Sequence, residues 1–219
     1  MPLVLLKNKH GRIIIERIEK MDYQIASGYL SGTFEFVGAL PYLHSIINKK
    51  TKPNRATWLI WSLVSVILFC TYYLSGARAT LWQPGAAVLF NVVFAFLAFR
   101  HSGMSRVGKL DAGCFLGAML ALIAWGLTRN PLIGMTVIVI VAIIGSVPTI
   151  LKVYENPGSE DRLTWLLWSL AALANLFAVK SWTFAIALYP IEVAVVIPLI
   201  FALNLRKKPP KRVACFGNQ

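Results

Sequence analysis

The hydrophobic residues of this chain fall into seven runs, and the short connections between them carry nearly all of the charge. The runs cover residues 23–47, 58–74, 84–99, 112–127, 131–153, 163–179 and 184–205. They show almost none of the polar faces at helical period that helices on a soluble core would show. A helix needs about 20 apolar residues to cross the hydrocarbon, and about 17 suffice where the bilayer thins or flanking side chains snorkel. The pattern predicts seven spanning helices, the shortest being the fourth, between Asp111 and Arg129.

The pattern also repeats. Gly38-Ala-Leu-Pro41, a polar connection and Arg55-Ala-Thr57-Trp58-Leu-Ile-Trp61-Ser62 return as Gly145-Ser-Val-Pro148, a polar connection and Arg162-Leu-Thr164-Trp165-Leu-Leu-Trp168-Ser169, at a constant offset of 107 residues. Further on, Pro84 pairs with Pro190 and Arg100 with Arg206 at an offset of 106. A repeat of this length sets the architecture. It predicts two copies of three spans with the unmatched fourth between them, and the odd linker makes the copies parallel. The expected layout is an N-terminal tail at 1–22, a first three-helix repeat at 23–100, a connection and linker helix at 101–129, a second repeat at 130–206 and a basic tail at 207–219.

Composition sharpens this reading. Hydrophobic residues make up 57% of the chain and charged ones 14%, the balance of an integral membrane protein. The net charge of +13 could suggest nucleic acid, but basic residues in the connections of an apolar chain set topology instead. Fourteen of the 22 Lys and Arg fall on the side that holds 49–55, 100–109 and the C-terminal tail. That side is predicted to be cytoplasmic, with the N-terminus outside. Cys70 and Cys114 lie in spans and Cys215 in the tail, which suits neither a disulfide nor a metal site. No P-loop and no nucleophile context is readable, so neither an enzyme nor a cofactor is expected. The lipid bilayer and a small polar solute are the expected partners, and a homo-oligomer is compatible with the chain.

Residues 1–22 place two apolar stretches around Asn8-Lys-His-Gly11, a pattern for a small hairpin or an interfacial piece, or for sequence upstream of a true start at Met21. Pro41 and Pro148 interrupt their helices at matching depth and are expected to act as hinges. Trp58 and Trp165 open their helices and are expected in the interfacial belt, as are Trp82, Trp125 and Trp182. Trp61 and Trp168 lie one turn deeper, where packing and pocket lining compete. The basic turn at 49–55 and the acidic turn at 155–161 face the same side and could attract one another. Asn91 and Asn175 must each find hydrogen-bond partners or line a wet cavity. Glu35 and Glu192 each lie 14 residues before a basic helix end, and so share a depth near mid-membrane.

The three-plus-one-plus-three layout with Pro41 and Pro148 resembles the SWEET sugar transporters and the wider PQ-loop superfamily, over residues 24–206. The Thr-Trp-x-x-Trp-Ser signature at 57–62 and 164–169 is more similar to an uncharacterised bacterial branch. Tyrosine and threonine follow the prolines where a PQ-loop protein has glutamine, and the second and sixth spans lack the family's prolines. The resemblance implies a seven-helix transporter of a small polar solute, such as a sugar or vitamin, working by alternating access around a midplane site. Bacterial nicotinamide riboside importers share the layout. The expected substrate-binding residues are Glu35, Trp61, Ser65, Asn91, Trp168, Asn175 and Glu192. One of the two carboxylates would carry a proton or bind a cationic or polyhydroxyl substrate. The alternative is a non-transporting receptor or assembly protein of the same layout; a polar central cavity separates the two.

The charge asymmetry yields a topology test. Lys207→Cys on a cysteine-free background should resist a membrane-impermeant maleimide in intact cells and react after permeabilisation. Labelling of intact cells would invert the assignment.

Overall fold

The structure is a computed structural model that describes residues 9–101, 109–128 and 131–207. Leu3–Leu6, Arg106, Cys215 and the basic tail beyond Lys207 lie outside the described residues. Within them the chain is all-helical, with seven α-helices: α1 (Lys9–Ile47), α2 (Arg55–Leu74), α3 (Trp82–His101), α4 (Lys109–Thr128), α5 (Pro131–Glu155), α6 (Arg162–Phe177) and α7 (Phe184–Leu205). A 3₁₀ turn, Ala79–Leu81, leads into α3. Four segments are long and apolar enough to cross a membrane: Arg55–Leu74, Ala79–Arg100, Leu132–Glu155 and Phe184–Leu205; Arg162–Phe177 is apolar but shorter. The outer surface carries large apolar side chains such as Leu89, Phe96, Leu116, Ile123 and Val195. On a water-soluble monomer an apolar surface so extensive would drive association; lipid accepts it. The chain is a helical membrane protein.

Two expectations are corrected. Helix α1 begins at Lys9, so residues 9–20 continue the first run instead of forming a hairpin. Its 39 residues extend about 58 Å at 1.5 Å per residue, well beyond a hydrocarbon layer about 30 Å thick. The shortest helix is not the fourth, which has 20 residues, but α6, which has 16.

The boundaries of α6 follow from its ends. Asp161 caps the N-terminus, its side chain accepting from the Thr164 N–H at 2.9 Å. Asn54 caps α2 in the same way through Thr57 N–H at 3.0 Å, so the cap belongs to the repeated motif. Ala178 closes α6, its N–H bonding the Ala174 carbonyl at 3.1 Å, before the polar Ser181. The acidic turn ahead of α6 is held from α7: the buried Asn204 accepts from Gly158 N–H and Glu160 N–H and donates to the Glu160 carbonyl at 3.0 Å. Gly158 stands at φ +77°, where a side chain would be strained. The two turns are tied through one side chain, Lys152, whose Nζ bonds the Lys52 carbonyl and pairs with Glu160.

The helix neighbours recur in pairs. Helix α3 packs against both α1 and α2, and α7 against both α5 and α6. Between these groups the pairs cross: α1 packs most extensively on α6, and α2 packs on α5. Helix α4 lies along α5 and touches α2. A glycine admits each crossing. A Cβ at Gly38 would sit 2.8 Å from Trp168 Cδ1 and 3.1 Å from Leu167 Cβ; one at Gly145 would sit 2.7 Å from Ile60 Cγ2 and 3.2 Å from Trp61 Cδ1. Since Ile60 and Leu167 correspond at the 107-residue offset, as do Trp61 and Trp168, the two notches are equivalent.

Filling either notch should overpack a helix crossing. Gly38→Ala and Gly145→Ala should each cost about 1–3 kcal/mol of stability in thermal or denaturant unfolding. Gly117→Ala, on α4 with nothing within 4 Å, should be neutral or stabilising.

Candidate functional site

The crossings bring the tryptophans of both motifs together. Trp58 meets Trp168 with ring centroids 5.9 Å apart, and Trp61 meets Trp165 at 6.4 Å. Within each motif the paired rings stand edge-on at 5.4 Å. Tyr42 and Phe94 complete the cluster, Tyr42 lying 5.2 Å from Trp58 and 4.9 Å from Phe94. This corrects the belt assignment for Trp58 and Trp165, which are 2% and 0% exposed. Both open their helices, but on the face turned to the opposite three-helix group rather than to lipid. Trp82 and Trp182 are exposed, the Trp82 ring lying tilted against Tyr29 with centroids 4.6 Å apart. The Trp125 side chain lies outside the described residues.

The deeper tryptophans lock the crossings. Trp61 Nε1–H donates to the Ala142 carbonyl on α5, and Trp168 Nε1–H donates to the Glu35 carbonyl on α1, both at 3.1 Å. Residues 35 and 142 correspond at the repeat offset, so one bond is made twice. The outer pair differs. Trp58 Nε1–H donates to the Tyr42 hydroxyl at 3.1 Å. On the other side Thr149 replaces the tyrosine and bonds Thr57 across the crossing at 3.0 Å, and buried Trp165 Nε1 has no partner among the described residues.

Above this cluster a cavity of about 80 Å³ opens among α1, α2, α3, α5, α6 and α7. A water needs roughly 10–15 Å³ of such volume, so there is room for about five waters or one small solute. Its lining consists largely of residues matched by the repeat: Glu35 with Ala142, Trp61 with Trp168, Gln83 with Tyr189, Ala87 with Val193 and Asn91 with Ile197. Trp58, Ser65 and Glu192 also line it, with Val64, Leu68 and Pro84. No Lys, Arg or His lies among the described lining residues.

Six of the expected site residues, Glu35, Trp61, Ser65, Asn91, Trp168 and Glu192, therefore border one space. Asn175 does not. It is fully buried on α6 with neither amide atom bonded, while its counterpart Leu68 borders the cavity. Ser31 shows how closely α1 fits α6 there, donating to the Ala171 carbonyl at 2.7 Å. Glu35 accepts from Gln83 Nε2 at 3.2 Å. Asn91 Nδ2 donates to the Trp61 carbonyl at 3.4 Å and Ser65 Oγ to the Ser62 carbonyl at 3.1 Å. Glu192, 9% exposed, has no hydrogen-bond partner among the described residues.

Gln83 and Tyr189 were not singled out from the sequence. The signal was present, since they immediately precede the matched prolines Pro84 and Pro190 and thus correspond to each other. Compared with known proteins, the chain matches no family model, no curated protein and no solved structure.

The unequal outer tryptophans give a matched test. Trp58→Phe and Trp165→Phe remove the same volume from equivalent places, but only the first removes a hydrogen bond. Trp58→Phe should be the more destabilising by about 1 kcal/mol in unfolding measurements.

Proposed function

We propose that this protein is a membrane transporter of a small polar solute, working by alternating access between two parallel three-helix bundles of SWEET-like arrangement joined by a linker helix. The cavity carries the reading. It holds two carboxylates and two amides at the meeting of both helix groups, in a chain whose charges otherwise gather in the connections. An assembly protein could fill such a space with Leu, Ile and Phe; carboxylates without basic partners cost stability in an apolar surround and are kept where they bind or carry something.

The packing suits the mechanism. Each group keeps its third helix between its first and second, and the groups meet through the Trp-to-carbonyl bonds and the glycine notches. The Trp58, Trp61, Trp165 and Trp168 cluster with Tyr42 and Phe94 closes the end that carries the basic turn. In this reading that end is cytoplasmic, so the cavity would receive its solute from outside. Opening the inner side requires the four rings to separate. Pro41 and Pro148 lie in α1 and α5 just beyond the glycine notches, each leaving the carbonyl four residues earlier without its helical N–H. They are the hinges of this proposal. Proton coupling through Glu35 or Glu192 is part of it.

Uptake into proteoliposomes tests the proposal, screened over sugars, amino acids, vitamins and amines; absence of saturable flux for every class would remove it. Pro41→Ala with Pro148→Ala should slow flux several-fold without lowering thermal stability, since two helix hydrogen bonds are restored. Unimpaired flux in that double variant would dismiss the hinges. Glu35→Gln and Glu192→Gln each keep size and polarity but cannot titrate. If both retain the wild-type rate and its pH dependence, proton coupling is excluded.

A further inference from the structure

The polar groups around the cavity are unequally committed. Trp61 and Trp168 spend their only N–H on backbone carbonyls, and Ser65 spends its hydroxyl proton on the Ser62 carbonyl. Asn91 and Gln83 each use one amide N–H, on the Trp61 carbonyl and on Glu35. What remains is weighted to acceptors. Glu35 accepts one hydrogen bond, from Gln83, Glu192 lines the same space with none among the described residues, and Gln83 Oε1 is buried without a partner there. Against these stand the second N–H of each amide and the hydroxyl of Tyr189, which lies within electrostatic reach of both carboxylates.

We propose that this cavity takes a small organic cation bearing N–H donors, an alkylammonium or guanidinium group, in preference to a neutral polyol or an anion. The proposal rests on the reading of this cavity as the solute site. An anion would meet two carboxylates and no basic side chain. A sugar would bring hydroxyls that need donors and acceptors alike, and would supply no charge to hold either carboxylate ionised at that depth. An N–H cation supplies the charge and the donors together, and charge-assisted hydrogen bonds are the strong ones. The tryptophan walls add to the selection, because with their N–H groups turned to backbone carbonyls their remaining contribution is the aromatic surface, which attracts cations. The volume limits the solute to a handful of heavy atoms.

Binding to the purified full chain in nanodiscs, followed by calorimetry and tryptophan fluorescence, tests this with paired probes of equal size. Guanidinium is compared with urea, ethylammonium with ethanol, and tetramethylammonium supplies charge without N–H. Guanidinium or ethylammonium should bind at least about tenfold more tightly than its neutral partner, and tetramethylammonium more weakly than either. Glu35→Gln and Glu192→Gln should each weaken the preferred cation at least about tenfold, and by more than they weaken its neutral partner. If neither cation outbinds its neutral partner on the wild-type protein, the proposal is overturned, whatever the variants do. Guanidinium flux in proteoliposomes separates the two readings. Saturable guanidinium binding without flux of any solute would sustain the cation site and remove the transporter, whereas sugar flux without cation binding would do the reverse.

Discussion

The structure depends on one hydrogen bond made twice. Trp61 reaches from α2 to the carbonyl of residue 142 on α5, and Trp168 reaches from α6 to the carbonyl of residue 35 on α1. Between apolar helices in lipid there is no hydrophobic drive to association, so close backbone approach and polar bonds must hold the bundle. Gly38 and Gly145 provide the approach by leaving a notch for the partner helix, and the indole N–H provides the bond. Both bonds are made by large rings, so the same residues that fasten the crossings also fill the space between them. That fixes the floor of the cavity at the level of Trp58, Trp61 and Trp168.

Much of this was legible in the sequence because a duplication exposes what packing requires. Seven apolar runs became seven helices, and the residues repeated without a gap are those at the crossings: glycine, proline, the capping position and both tryptophans. The misreadings have physical causes. Trp58 and Trp165 were assigned to the membrane interface from their position at a helix start, but position along a helix does not fix the face on which a side chain stands. Here the crossing turns that face inward. Asn175 was expected to line a cavity because a buried amide needs partners, yet α6 is pressed onto α1 at Ser31 and Ala171, and the room on that side is gone. The extent of α1 is not legible because residues 9–22 mix charges with short apolar stretches and give no continuous run to extend. Gln83 escaped notice for a simpler reason: a glutamine at a helix start carries no signal until its repeat partner, Tyr189, is considered beside it.

The frame is symmetric and the chemistry is not. Trp61 and Trp168, the two glycines and the matched prolines are identical in the two copies. Four polar residues at the cavity are each single: Glu35 corresponds to Ala142, Glu192 to Ala86, Ser65 to Ala172 and Asn91 to Ile197. A strictly symmetric cavity would have placed four carboxylates in one small space without a basic side chain, where like charges in an apolar surround are prohibitive. Dividing the roles avoids this, because one copy contributes a carboxylate where the other contributes a methyl group that fills volume at no polar cost.

The same asymmetry bears on how the two bundles could move. The crossing bonds are equivalent, but the outer ring contacts are not: Trp58 is held by Tyr42, whereas buried Trp165 has no acceptor among the described residues, and Thr149, in the place of the tyrosine, bonds Thr57. An unpaired buried N–H costs on the order of 1–3 kcal/mol, a penalty that is relieved if the ring reaches water or another acceptor. The outer pair of the cluster is therefore unequal in what its rings are bonded to, and the difference traces to one exchange, tyrosine at position 42 for threonine at position 149.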